Sequence, residues 1–377
     1  MITCGTVTVA TRAELACCPG WQRAFVHGRK DWRYYEIVED TLQQDFEFRY
    51  LILHDDAIQP FFVLDQDLAA GAGRVLQSIV NGVRRVWPRF LKMRTLMVGC
   101  AAGEGHLAAE WVGDGLAGVL LQVARQWKAG LVVMKEFPSR YRAALANLPR
   151  LGFTRVPSMP MTRLNIDYAS FDDYVARKLS KPTRKSLRRK LRTAHRAHPP
   201  IELQVVDDVT EFVDEIYPLY LAVFERSTLH FEKLTKEFLC AIGQRMPDKV
   251  HFFIWRQAGK AVAFSLCMVH GDTIYDEYLG LDYAVAFDLY LYFYTLRDII
   301  DWAIGHGIKW YVSSALNYDP KLHLRCDLVP LDLYVAHTSP LVNVFIKRLL
   351  PWLEPTRSEP LLQRFPNFSE VWGMDGR

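Results

Sequence analysis

In this chain of 377 residues, chemistry falls most readily on a few charged side chains set among apolar ones. Asp276 and Glu277 stand between Tyr275 and Tyr278 in a stretch that reads as a strand, so alternation turns one of the two carboxylates toward a binding face. Aromatic surroundings there would raise its pKa and suit it to act as a base. The ordinary alternative is an edge-strand charge facing water. Lys321 follows the turn Tyr318-Asp319-Pro320 on the C-terminal side of a core strand, the side where α/β folds place ligands. Its ammonium would bind phosphate or steady an oxyanion, unless it is a plain surface lysine.

The strongest local signal is charge. Ten Lys or Arg and no acid lie between Arg177 and Arg196, so the remaining chain carries 36 cations against 42 acids. On a helix starting at Thr183, Lys185, Arg189, Arg192 and Arg196 share one face while Leu187, Leu191 and Ala194 line another. Arg184, Lys185, Arg188 and Arg189 are the candidate phosphate binders, for tRNA, a nucleotide-linked precursor or anionic lipid. A solvated helix balanced by acids elsewhere is the competing reading.

Composition narrows the class. Half of the residues are hydrophobic and 13% are aromatic, which excludes disorder. Single cores stop growing at roughly 250–300 residues, so two domains are expected. No stretch approaches the ~20 apolar residues of a membrane span, and the first residues show no secretory signal, which points to a cytoplasmic protein. Cysteines at 4, 17, 18, 100, 240, 267 and 326 form no CxxC pair. Neither a disulfide framework nor a metal site is expected.

Periodicity predicts a hairpin from Phe46–Ile52 and Phe61–Leu64, a helix over Gly73–Trp87 and a strand over Thr95–Val98. A glycine-rich loop with Gly103 and Gly105 follows, then a helix near 116–127, a strand at 131–134, a helix near 140–151 and a strand at 153–156. The second half opens with the helical 170–196 stretch. It continues with a strand at 202–206, helices at 211–224 and 236–245, three hairpin-linked strands between 251 and 279, a helix at 290–304 and a strand at 310–313. Both halves have the order of mixed α/β sheets.

Four segments carry a family resemblance. They are Ser170–Tyr174 with the basic Lys181–Lys190 run, Tyr275–Gly280, Ala303–Ile308, and Asn317–Lys321 followed by Tyr334–His337. In order and spacing they resemble the bacterial peptidoglycan biosynthesis/recognition family and the related GNAT domains of Fem-type peptidyltransferases and cellulose-biosynthesis acyltransferases. The first half, closing on Leu151-Gly152-Phe153, also resembles a GNAT domain.

The resemblance implies two tandem GNAT-like domains, at 1–165 and 166–340, the second with the basic helix 177–196, and a C-terminal helix and tail at 341–377. It implies transfer of an acyl group from acyl-CoA or aminoacyl-tRNA to an amine-bearing small molecule or precursor. Lys321 matches an active-site lysine, and His337 the family's terminal histidine, with Tyr318 beside them. Gly103 and Gly105 stand where GNAT domains cradle a donor's pyrophosphate, although Cys100 occupies the usual Arg/Gln place. In the second half the matching segment Leu281–Phe287 has no glycine beyond Gly280, which favours a non-CoA donor such as aminoacyl-tRNA, or a remodelled site.

Asp319-Pro320 replaces the family's Glu-His before the lysine. That change, with the missing phosphate loop, leaves a second reading: a catalytically degenerate pair that binds a phosphorylated cell-wall or nucleotide precursor. The helix at 341–350, with Lys347, Arg348 and Trp352, could touch a membrane surface, but packing on a core is expected of so short a segment.

Overall fold

The computed structural model describes residues 2–4, 7–16, 18–42, 46–53, 57–67, 74–90, 92–227 and 231–373. The chain divides into two compact units. The first comprises Met1–Val26, Lys30–Ser158 and Pro330–Arg357, and the second His27–Arg29, Met159–Val329 and Ser358–Arg377.

The chain begins with β1 (Ile2–Cys4), β2 (Val7–Ala10), the short α1 (Arg12–Leu15) and α2 (Pro19–Arg23), and α3 (Trp32–Thr41). Asp31 caps α3 by accepting the Arg33 N–H. β3 (Glu47–Ile52) and β4 (Ile58–Asp67) form the predicted hairpin, with β2 paired outside it. Then come α4 (Arg74–Arg84), β5 (Lys92–Val98), α5 (Val112–Gln126) and β6 (Leu131–Pro138). β5 and β6 run parallel, as a helical crossover requires.

The helix expected near 140–151 does not form. Ser139–Tyr141 and Leu148–Leu151 are 3-10 turns, because Pro149 has no N–H for an α-helical bond and Gly152, at φ 96°, ends the segment.

β7 (Thr154–Asn165) crosses from the first unit into the second between Ser158 and Met159, a few residues before the expected boundary at 165/166. Its prolines at 157 and 160 precede the pairing with β12, which begins at Thr162. α6 (Phe171–Lys178) and α7 (Lys181–His195) are separate helices, capped by Ser170 and Ser180, which accept the N–H groups of Asp173 and Thr183. β8 (Ile201–Val206), α8 (Val213–Arg226), α9 (Lys236–Arg245), β9 (Val250–Gln257), β10 (Lys260–His270) and β11 (Thr273–Leu281) follow. α10 (Leu291–Gly305), β12 (Trp310–Ser313) and α11 (Tyr318–His323) complete the run. β13 (Asp327–His337) then leads back to the first unit, which α12 (Pro340–Leu353) joins, while α13 (Ser369–Trp372) lies in the second.

Each unit follows one scheme. Strand order is β1-β2-β3-β4-β5-β6-β13 in the first and β7-β12-β11-β10-β9-β8 in the second. An antiparallel meander leads to a parallel pair, β5·β6 or β11·β12, whose helix α5 or α10 bridges its strands. The closing strands are exchanged: β6 takes β13 from the far end of the sequence, and β12 takes β7. The units are therefore not the linear segments 1–165 and 166–340 that sequence suggests, and 341–377 is divided between them. The first core gathers on Phe61, Leu96, Leu116, Leu120 and Phe137, the second on Phe253, Trp255, Ile299, Ile300 and Tyr311.

Candidate functional site

In the second unit the parallel pair ends at Asp276, which lies opposite Ser313. β11 continues to Leu281, whereas β12 stops and the backbone turns through Leu316 (φ 72°) and Asn317 (φ 49°) into α11. The two strands part at this point. On its other edge β11 carries a bulge. Leu266 faces Tyr278 and Cys267 faces Asp276, so Glu277 is the extra residue.

Asp276 and Glu277 consequently have different surroundings. Ser265 Oγ and Tyr311 Oη both donate to the Asp276 carboxylate, the tyrosine at 2.6 Å. Burial raises the Asp276 pKa, while these two hydrogen bonds and the charge of Lys321 oppose the rise. Glu277 pairs with Arg29, whose guanidinium lies 3.9 Å from the centre of the Tyr275 ring. That ion pair occupies the Glu277 carboxylate, whereas among the described residues Asp276 has no arginine on it.

Lys321 is 2% exposed. Its Nζ donates to the carbonyl oxygens of Ser314 and, at 2.8 Å, Leu316, so the β12–α11 turn wraps the ammonium. Burial pushes its pKa down to about 8, with Cys326 and Asp276 pulling it upward. Burial in turn raises the Cys326 thiol to about 12, which keeps it protonated and non-nucleophilic at neutral pH. Tyr292, in the first turn of α10, is raised by burial and by the charges of Asp276 and Cys326.

Of the other sequence candidates only Tyr318 stays beside Lys321, whose Nζ is 5.7 Å from the centre of the tyrosine ring. Tyr318 is buried and its hydroxyl donates to Pro160 O at 2.8 Å, which ties α11 to β7. His337 belongs to the first unit, opposite Leu131, and its Nδ1 accepts the Ser339 N–H. The exchange of β13 separates it by unit from Lys321. On α7, Leu187 and Ala194 are buried while Lys185, Arg188 and Arg189 are exposed. Arg184 is half-buried and bonds Ala176 O at 2.6 Å. Among the described residues Lys185, Arg188, Arg189 and Arg192 carry no ion pair.

Gly105 is held by close packing. A Cβ at Gly105 would lie 2.5 Å from Lys135 O and 2.7 Å from the Phe137 ring, and the Gly105 N–H donates to Glu136 O at 3.1 Å. Gly103 (φ 80°) presents its carbonyl to Lys135 Nζ at 2.8 Å, and buried Glu104 pairs with Lys30 at 2.8 Å and His106 at 3.0 Å. This loop lies closed on β6. In the second unit, the N–H groups of Val285, Ala286, Leu289 and Leu291 before α10 go to loop carbonyls. Neither loop offers these amides to a pyrophosphate.

Sequence reading misses Ser265, Tyr311, Tyr292, Cys326 and Arg29. Ser265 has a usable signal, being the one hydroxyl in the apolar run Ala261–Val269. Arg29 has none, since 248 positions separate it from Glu277.

Residues 115–317, more than half of the chain, match the FemAB-like family described as peptidoglycan biosynthesis/recognition. The crystal structure of FemX is similar at 10% identity, over 87% of this chain and 96% of its own, with a TM-score of 0.52. A conserved protein of unknown function from Bacteroides thetaiotaomicron shares 13% identity over 87% and 98%, with a TM-score of 0.51. L-PGS from Bacillus licheniformis shares 13% over 84% and 95%, with a TM-score of 0.50. These likenesses concern the fold alone, two mixed α/β units. No curated protein matches the sequence.

Proposed function

Since the chain belongs to the FemAB-like family of peptidoglycan biosynthesis and recognition, we propose that it is an acyltransferase that delivers an acyl or aminoacyl group to the amine of a cell-wall precursor, with its reacting groups in the second unit. One observation carries this reading. Asp276 and Lys321, displaced toward neutrality from opposite sides, act on each other where β11 and β12 part.

The chemistry is attack of an amine on an ester or thioester carbonyl. Asp276, oriented by Ser265 and Tyr311, takes the proton that the attacking nitrogen loses. Two hydrogens of the Lys321 ammonium are held by Ser314 and Leu316, and the third is directed at the oxyanion of the tetrahedral intermediate. Collapse breaks the C–O or C–S bond, and Asp276 returns the proton it took to the departing alcohol or thiol.

For the donor, the exposed cations of α7 support aminoacyl-tRNA, whose phosphates they would meet. The occupied amides before α10 argue in the same direction. A second reading, a binding protein without turnover, is favoured by the 2% exposure of Lys321. Mass spectrometry of an amine-bearing precursor incubated with the protein and either aminoacyl-tRNA or acyl-CoA separates the two. A mass gain that Lys321→Met abolishes supports the enzyme. Tight binding without a mass gain supports the binder.

A further inference from the structure

At one end of the first sheet, apolar side chains stand in solvent. α12 starts three residues after His337 and shows Leu341 (79% exposed), Phe345 (72%) and Leu349 (54%), which recur at helical spacing on one face. The segment leading into β5 shows Val86 (90%) and Trp87 (61%). The helix expected over Gly73–Trp87 ends at Arg84, which leaves Val86 and Trp87 beyond it. α12, expected to pack on a core because it is short, shows Leu341, Phe345 and Leu349 to solvent.

The two segments leave the sheet together. A Cβ built on Gly130, just before β6, would lie 3.3 Å from Met93 and 3.4 Å from His337 Nε2. Met93 begins β5 one residue after its first, and His337 ends β13. The exposed apolar groups before one strand and after the other thus belong to the same sheet end.

Their charge is one-signed. Neither residues 83–94 nor 340–353 contain an acid, and Arg85, Arg89, Lys92, Lys347 and Arg348 are exposed. Among the described residues these five carry no ion pair. A second copy of this surface would oppose cation to cation, whereas an anionic partner matches it. Apolar groups ringed by cations fit a lipid interface, where side chains enter the acyl boundary and Lys and Arg meet phosphates. No helix among the described residues is long and apolar enough to cross a membrane, so the contact is peripheral.

We propose that this end of the first unit docks on an anionic membrane surface through α12 and the Val86-Trp87 segment. The inference does not depend on turnover, so it stands or falls separately from the proposed reaction. It is tested by co-sedimentation of the full chain with vesicles of phosphatidylcholine alone and mixed with phosphatidylglycerol. Binding is expected to the anionic vesicles and to weaken with salt. The triple variant Trp87→Ser, Phe345→Ser, Leu349→Ser should lose affinity by about tenfold or more with an unchanged melting curve, as all three side chains are exposed. Replacing Arg85, Arg89, Lys347 and Arg348 by Ser should flatten the salt dependence. Replacing Arg184, Lys185, Arg188 and Arg189 on α7 should leave vesicle binding in place. No preference for anionic vesicles overturns the proposal. So does loss of binding through the α7 variant alone, or a lipid-free dimer that Phe345→Ser dissolves.

Discussion

Replacing Lys321 by Met tests the catalytic reading most directly, because the change keeps an unbranched side chain one atom shorter and removes its charge. If the ammonium steadies an oxyanion, its loss costs ~3–4 kcal/mol in the transition state, or roughly a hundredfold to a thousandfold in kcat, with a smaller effect on KM. Stability gives an independent readout. The folded-state pKa of Lys321 is lowered from 10.5 to about 8. Between those values the unfolded chain binds more protons than the folded one, so stability rises as pH rises through that window. A displacement of this size in a fully buried group corresponds to about 3 kcal/mol. The Met variant lacks that rise, although it also leaves the Ser314 and Leu316 carbonyls without their donor, at ~1–3 kcal/mol each. Chemical denaturation of both proteins between pH 7 and 10.5 reads the difference, and an acyl-transfer assay reads kcat. Wild-type kcat in a variant with wild-type melting would refute the role. A pH dependence of stability identical in the two proteins would refute the buried, displaced ammonium itself.

Three further outcomes follow from the same geometry. Asp276→Asn should lower kcat by roughly a hundredfold or more and remove the acid limb of the pH–rate profile, while the alkaline limb near 8, from Lys321, remains. Gly105→Ala should cost ~1–3 kcal/mol in denaturant unfolding, because the new methyl meets Lys135 O and the Phe137 ring; a neutral result would mean that the loop can lift from β6. Changing Arg184, Lys185, Arg188 and Arg189 to Ser should weaken tRNA binding in filter assays and reduce the salt slope by about one unit per lost phosphate contact. An unchanged slope would assign α7 to solvation.

Local order was legible where periodicity and turn chemistry agree. Gln257-Ala258-Gly259-Lys260 predicts a tight hairpin, and Ala258 (φ 53°) and Gly259 (φ 78°) supply its left-handed pair between β9 and β10. The cation spacing on α7 likewise gives its buried Leu187 face. Of the site, Asp276, Glu277 and Lys321 stand out in sequence by type. Their division of labour does not, because it depends on a bulge that inserts Glu277 and on an arginine far upstream. Pairing partners of β7 and β13 were also illegible. Each strand carries a run of consecutive buried residues, Val156–Pro160 in β7 and Tyr334–Ala336 in β13, and nothing in such a run names the neighbour it will join.

The exchange of those strands has a consequence for how the site is held. β7 pairs Thr162 with Ser313 of β12, takes the Tyr318 hydroxyl on Pro160 O, and places Met159 and Leu164 in the second core. Lys321 rides on the same short helix as Tyr318, so its position depends on a strand that precedes residue 166. Reciprocally, β13 gives the first core Tyr334 and Ala336, and Asp332 to Arg142 and Arg155 at 2.6 and 2.9 Å. Cutting the chain at 165/166 strips each unit of a closing strand. Two large apolar side chains at ~1.5–3 kcal/mol each, with an uncovered strand edge, are comparable to the ~5–15 kcal/mol that holds a typical domain. Fragments 1–165 and 166–377, each expressed alone, should therefore fail to unfold cooperatively in calorimetry, whereas a cut after Ser158 that leaves β7's later residues on the second fragment should retain more of the second unit's transition. Cooperative melting of 166–377 on its own would show that β7 is dispensable to the frame around Lys321.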